Sequence, residues 1–212
     1  MIKAIEALER LREGNARFVD NQTAGRNLTI RLPGHDFVDG QEPFAIILGC
    51  SDSRVPAELI FDQGFGDLFV IRVAGNIVAP SQVGSVEFAA SKFRTRLVVV
   101  LGHSHCGAVG AALDDLEGLT TTESRNLRSI VGRVRPALEA LTKLPGKHDR
   151  DTLVSEGVRA NVRVSANHLR HGSELLENLI QSDGLLIVGA VYSLETGMVE
   201  FFDGVPDQNA AC

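Results

Sequence analysis

Three cysteines in 212 residues are too few, and odd in number, to make a disulfide framework, and they point to a reducing compartment. No apolar run approaches the roughly 20 residues that a membrane-spanning helix needs. The opening segment MIKAIEALERLREGNARF is too charged and amphipathic for a secretory leader. A basic excess is missing as well: 27 acidic residues stand against 21 basic ones, for a net charge of -6. The electrostatic footprint of a nucleic-acid binder is therefore absent. Internal repeats, linkers and low-complexity tracts are also lacking. What remains is a soluble cytoplasmic protein with no membrane or nucleic-acid partner, of a length that suits one domain over residues 1–212.

Ile5, Leu8, Leu11 and Phe18 recur near helical spacing with charges between them, which predicts a one-sided N-terminal helix. A polar, glycine-bearing stretch from Asn21 to Gln41 reads as loop. Residues 1–40 are thus expected to form a helical arm and loop, and 41–212 an α/β core. Set apart in this way, the helix is expected to lie across a neighbouring subunit. Continuous apolar runs at Phe44–Gly49, Leu68–Val73, Leu97–Gly102 and Leu185–Val191 fit strands buried on both faces of a parallel sheet. Met198–Phe202, after the turn Glu195-Thr196-Gly197, reads as an antiparallel edge strand. Helices are predicted at Ser85–Lys92 and over a long stretch, Asp151–Gln181, with an arginine-dotted polar face. The fold expected is α/β, with about four parallel strands and an antiparallel edge strand flanked by helices.

Ligands collect at the carboxyl ends of strands in such sheets. Cys50 follows the first apolar run, opening Cys50-Ser51-Asp52-Ser53-Arg54, and the third run ends in Gly102-His103-Ser104-His105-Cys106-Gly107. If these strands are neighbours, Cys50, His103 and Cys106 converge with Asp52 nearby. Two thiolates, one imidazole and an open position form a catalytic zinc arrangement. Spacing alone leaves a second reading, two ordinary buried cysteines; the polar company of His103, Asp52 and Arg54 favours the metal, because buried polar groups need partners. Asp52 and Arg54, two residues apart, are either a surface ion pair or a carboxylate held ionised beside the metal.

Cys50-Ser51-Asp52-Ser53-Arg54-Val55, Phe69-Val70-Ile71-Arg72, Ala74-Gly75-Asn76 and Gly102-His103-x-x-Cys106-Gly107 together resemble the β-class carbonic anhydrases. Gly14-Asn15-Ala16-Arg17-Phe18 and Val191-Tyr192-Ser193-Leu194-Glu195-Thr196-Gly197 are similar too, so the resemblance covers most of the chain. It implies one zinc per chain on Cys50, His103 and Cys106, with water or Asp52 as fourth ligand and Arg54 as the gate between them. It further implies that zinc-bound hydroxide attacks CO₂ to give bicarbonate and a proton, with Asp52 and Arg54 orienting the hydroxide. Activity is expected to favour mildly alkaline pH, since two thiolates donate more charge than histidines. Gln41 would lie over the metal, and Phe69, Ala74, Phe88 and Gly107 would line an apolar pocket completed by a partner subunit, in a homodimer or homotetramer. At Phe88 some relatives carry a tyrosine. Some also switch off with bicarbonate, using a tryptophan shortly before the first ligand; this chain has none, and Ile47 stands three residues before Cys50. The subtype without that switch is therefore expected.

Three other readings compete. The same site could act on carbonyl sulfide or carbon disulfide, or serve as a non-catalytic zinc scaffold. The third is a serine hydrolase with Ser104 as nucleophile, whose G-x-S-x-G pattern fails at Cys106. His105 reads as a solvated or hydrogen-bonded loop histidine rather than a proton shuttle. His35, His148, His168 and His171 read as surface, Cys212 as a frayed terminus, and Arg159, Arg163 and Arg170 as a solvated helix face.

Overall fold

The computed structural model describes residues 2–25, 40–120, 124–142 and 149–206. His35, His148 and Cys212 lie outside them. Five strands, β1 (Ala45–Gly49), β2 (Leu68–Arg72), β3 (Leu97–His103), β4 (Leu186–Tyr192) and β5 (Val199–Asp203), form one sheet in the order β2-β1-β3-β4-β5. The first four are parallel, and β5 runs antiparallel to β4 at the edge. This is the expected sheet. Every residue of β1 and β3 is buried, which is why their sequences are continuously apolar rather than alternating.

Alternate side chains of the strands serve two different layers. Ile47, Val99, Leu101 and Ala190 pack with α1 (Ala4–Thr23) and the short α2 (Ala57–Ile60). Ile46, Leu48, Val98 and Val100 pack instead with α3 (Pro80–Lys92), α6 (Arg150–His171) and α7 (Glu174–Ser182). A third apolar cluster, at the carboxyl edge of the sheet, joins Val109 and Leu113 of α4 (Gly107–Leu116) to Val134 and Leu138 of α5 (Arg125–Thr142) and Val158 of α6.

Four features differ from the sequence reading. The N-terminal helix is present, and it is docked on its own chain's sheet rather than standing apart from the core. Leu8, Leu11 and Phe18 are buried there, and a Cβ on Gly14 would stand 1.9 Å from the Phe61 carbonyl oxygen, so only glycine permits the contact. Asn15 then donates from Nδ2 to the carbonyls of Ile60 and Gly197 and accepts from the amide of Val199. The predicted long helix is two. Ser173 caps α7 by accepting from the Leu176 amide at 3.2 Å, so the chain turns at Gly172-Ser173. Helix α5 carried no expectation; it holds Pro136 in its interior, and Val131, Val134 and Leu138 bury one face.

The arginines of α6 are not simply solvated. Arg159 makes two bonds to the Glu200 carboxylate, of 2.7 and 3.0 Å, and its guanidinium lies 4.0 Å from the Phe202 ring centroid. Arg170 reaches Asp203 and the Ile187 carbonyl, each at 2.7 Å. They tie α6 to the edge of the sheet. Val162 seats the same helix: a Cβ on Gly102 or Gly189 would meet its methyls at 2.6 and 2.7 Å. Glycines on the adjacent strands β3 and β4 form the notch that receives it.

Candidate metal centre

From β1 the chain goes first to β2 on one side and then crosses to β3 on the other, so β1 and β3 flank the switch point of the sheet, where open α/β folds bind ligands. Cys50 immediately follows β1, His103 is the last residue of β3, and Cys106 precedes the first residue of α4. His105 adopts φ 54°, which turns the chain back so that Cys106 faces His103. The donor atoms of Cys50, His103 and Cys106 all lie within 4.8 Å of one another, and all three residues are buried.

His103 is fully buried, and its Nδ1 lies 2.9 Å from the Ser104 carbonyl. A carbonyl only accepts, so Nδ1 carries the proton and Nε2 is left as a bare lone pair. That Nε2 has no hydrogen-bond partner among the described residues. A buried imidazole nitrogen left empty beside two sulfurs is costly unless something electron-deficient sits between them. Two soft thiols and one imidazole suit zinc, with a fourth position left for a small ligand. The residues present therefore fit the metal. Left to themselves the two thiols share one proton. The Cys106 S–H bonded to Cys50, with the Gly75 amide also bonding that sulfur, draws the Cys50 thiol far below its ordinary value. The same bond to Cys50, with burial, pushes Cys106 up.

Asp52 and Arg54 are paired in full. Arg54 donates from Nε and Nη2 to the two carboxylate oxygens at 2.9 and 2.7 Å, and its amide adds a third bond of 3.0 Å. The guanidinium thereby holds the Asp52 carboxyl well below the usual carboxylate range. Asp52 Oδ2 stands 3.9 Å from His103 Nε2, beside the trio but not within it.

Arg72, Gly75, Asn161 and Glu195 were not anticipated as site residues. Arg72 donates to the carbonyls of Cys50 and Asp52 and fixes the loop between them. Its signal was a charge ending an otherwise apolar strand. Gly75 donates its amide to Cys50 Sγ at 3.3 Å, and Asn161 donates to the Gly75 carbonyl at 2.8 Å. Glu195 accepts from Ser104 and Ser193 and holds His105 Nε2 at 2.5 Å, so His105 is the hydrogen-bonded loop histidine expected. Ser104 also accepts the Leu194 amide. Among the described residues no imidazole is bonded to its hydroxyl, which donates instead to the Glu195 carboxylate at 2.8 Å.

The expected pocket residues are not all at the trio. Ala74 opens the short 3-10 turn, Ala74–Asn76, that carries Gly75. Gly107 starts α4 and, with Cys106, borders a groove of about 910 Å³ running to the β4–β5 hairpin. Gln41 is exposed ahead of β1. Phe69 pairs in register with Ile46, four residues before Cys50, or about 13 Å down the strand. Phe69 packs there with Phe88 and Phe93, and Phe88 is half exposed. One chain alone does not close these rings over its own trio.

A parallel sheet whose switch point gathers two thiols and an imidazole beside a clamped aspartate defines an α/β protein with a candidate metal site of the catalytic type. A family model described as carbonic anhydrase matches residues 45–199. Carbonic anhydrase 2 of Mycobacterium tuberculosis is 36% identical over 201 residues, covering 95% of this chain and 94% of its own. The carbonic anhydrase of Mycolicibacterium smegmatis is 37% identical over 197 residues, 92% of each chain. The solved β-carbonic anhydrase CafA of Aspergillus fumigatus superposes with a TM-score of 0.69 at 28% identity, covering 82% of both chains. A tetrameric β-carbonic anhydrase from Sordaria macrospora gives 0.71 at 24% identity over 79% of this chain and 84% of its own, a likeness of fold. This chain belongs to the carbonic anhydrase family, in its β class.

Proposed function

We propose that the protein hydrates carbon dioxide reversibly to bicarbonate and a proton, with one zinc per chain held by Cys50, His103 and Cys106. The observation that carries this reading is the buried, unpartnered Nε2 of His103 beside two sulfurs. Bound there, zinc supplies a Lewis acid that makes water a nucleophile near neutral pH. The protein's part is positioning. Asp52, ionised by Arg54, accepts a hydrogen bond from the reacting water and aims its lone pair at the CO₂ carbon. Because both Asp52 oxygens are engaged by Arg54, the carboxylate stays off the fourth position and leaves it open. Release of that pair is the gate to a closed form.

Ala74 and Gly107 border the reacting space from the same chain. Gln41, Phe69 and Phe88 would serve the site of a partner subunit, which implies a homodimer or homotetramer. The placement of Phe69 and Phe88 away from their own trio supports this, as does the tetrameric state named for the Sordaria protein. The lack of any tryptophan, with Ile47 three residues before Cys50, supports the subtype without the bicarbonate switch. No described helix is long and apolar enough to cross a membrane, and the odd count of three cysteines fits a cytoplasmic setting.

Stopped-flow hydration of CO₂ by the zinc-loaded protein tests the reading, run beside carbonyl sulfide and carbon disulfide. Fast hydration that falls by about 10² or more in Asp52→Asn, with zinc retained, is expected. Turnover of a sulfur analogue without CO₂ hydration would replace the substrate.

A further inference from the structure

Cys50 Sγ receives the amide of Gly75, and the direction of that N–H is not set by Gly75 itself. Glycine has no Cβ to restrict it, and here it takes φ 69°, a left-handed conformation. A side chain at this position is excluded, since its Cβ would stand 2.9 Å from the Ala108 Cβ. Something outside the turn must therefore hold the most pliable residue of the site. Asn161 does so: it is 1% exposed, and its Nδ2 donates to the Gly75 carbonyl at 2.8 Å. Asn161 is itself immobilised, because the next residue, Val162, is lodged in the glycine notch of β3 and β4. A continuous path thus runs from the sheet through Val162, Asn161 and Gly75 to the sulfur of Cys50.

We infer that Asn161 is a positioning residue for the metal centre, acting through Gly75 to aim an amide hydrogen at the Cys50 sulfur and so set how strongly that thiolate donates. Asn161 has this role only if the trio holds the metal proposed above, and the test separates the two. An N–H bonded to a thiolate draws electron density from its lone pairs and fixes the direction of the remaining one. Outer groups that orient a metal ligand in this way are worth about 10–100-fold in metal affinity.

The experiment uses cobalt-substituted and zinc-loaded full-length protein, wild type against Asn161→Ala and Asn161→Leu. The leucine variant keeps the core filled while removing the donor. Competition with a chelator is expected to show zinc affinity reduced about tenfold or more in both variants. The sulfur-to-cobalt charge-transfer band is expected to move to longer wavelength, because the unbonded thiolate gives up an electron more easily. A merely structural asparagine would lower the melting temperature and leave band and affinity unchanged, and that result overturns the inference. Wild type alone supplies a check that needs no variant. With ¹¹³Cd at the site, scalar coupling between the metal and the Gly75 amide proton is expected, and its absence overturns the inference. If wild type takes up no metal on the trio, the metal-centre reading fails first.

Discussion

Asn15 is the residue by which α1 is fastened to its own chain, and its removal gives a large, calculable effect. The side chain is 6% exposed and makes three bonds, to the Ile60 carbonyl at 3.1 Å, the Gly197 carbonyl at 2.9 Å and the Val199 amide at 2.8 Å. Alanine leaves all three backbone groups without a partner under a packed helix. Each lost bond costs about 1 kcal/mol net, and more where water cannot replace it, for about 3–5 kcal/mol in all. Against a domain stability of about 5–15 kcal/mol this is a major loss. It corresponds to a melting temperature lower by about 6–20 °C for a chain of this size. Arg17→Ala is the control: its pair with Asp62 is short, at 2.6 Å, but the side chains are 50% and 37% exposed, so about 0–1 kcal/mol is expected. Urea and thermal unfolding of the two variants decide the matter. An Asn15→Ala protein within about 1 kcal/mol of wild type would refute the docking of α1 on its own sheet.

Ser104→Ala should keep most CO₂ hydration while losing two loop hydrogen bonds, to Glu195 and from the Leu194 amide, worth about 1 kcal/mol each; abolition of a serine-type esterase activity with hydration absent throughout would favour the hydrolase instead. Glu195 is drawn down from 4.5 to about 2, chiefly by the Ser104 hydroxyl with help from Ser193. Its folded pKa is thus below the unfolded one, so it stabilises above pH 4.5 and that contribution fades as pH falls towards 2. The melting temperature of Glu195→Gln should fall less steeply with acid than that of wild type across this window; parallel curves would contradict the assignment. Gly75→Ala must tolerate φ 69° and a Cβ contact of 2.9 Å, so a loss of about 2–4 kcal/mol is expected in urea unfolding, and a neutral result would mean the turn is easily reshaped.

The sheet was legible because β1, β3 and β4 are buried on both faces, and such strands write themselves as uninterrupted apolar runs. Cys50, His103 and Cys106 were legible for a related reason: each falls at or just after the end of a run, where a parallel sheet presents ligands. The pairing of β1 with β3, on which their convergence depends, is a matter of crossover connections that no local pattern encodes. Helix α5 was not read at all, although Val131, Val134 and Leu138 keep helical spacing on either side of Pro136. The docking of α1 rests on Gly14 and Asn15, whose meaning lies in partners 45 and more residues away along the chain. Asn161 was invisible for the same reason, being one amide on a helix whose target, the Gly75 carbonyl, is 86 residues distant in sequence. Phe69 and Phe88 carry a family expectation that a single chain does not complete.

The most direct test of the central claim is zinc content per chain measured together with CO₂ hydration, in wild type and in Cys106→Ser. The account predicts about one zinc and fast hydration in wild type, with both lost in the variant, since two remaining donors do not make a tight site. Carefully prepared wild-type protein that holds no zinc, or a Cys106→Ser protein that keeps both zinc and activity, would contradict it.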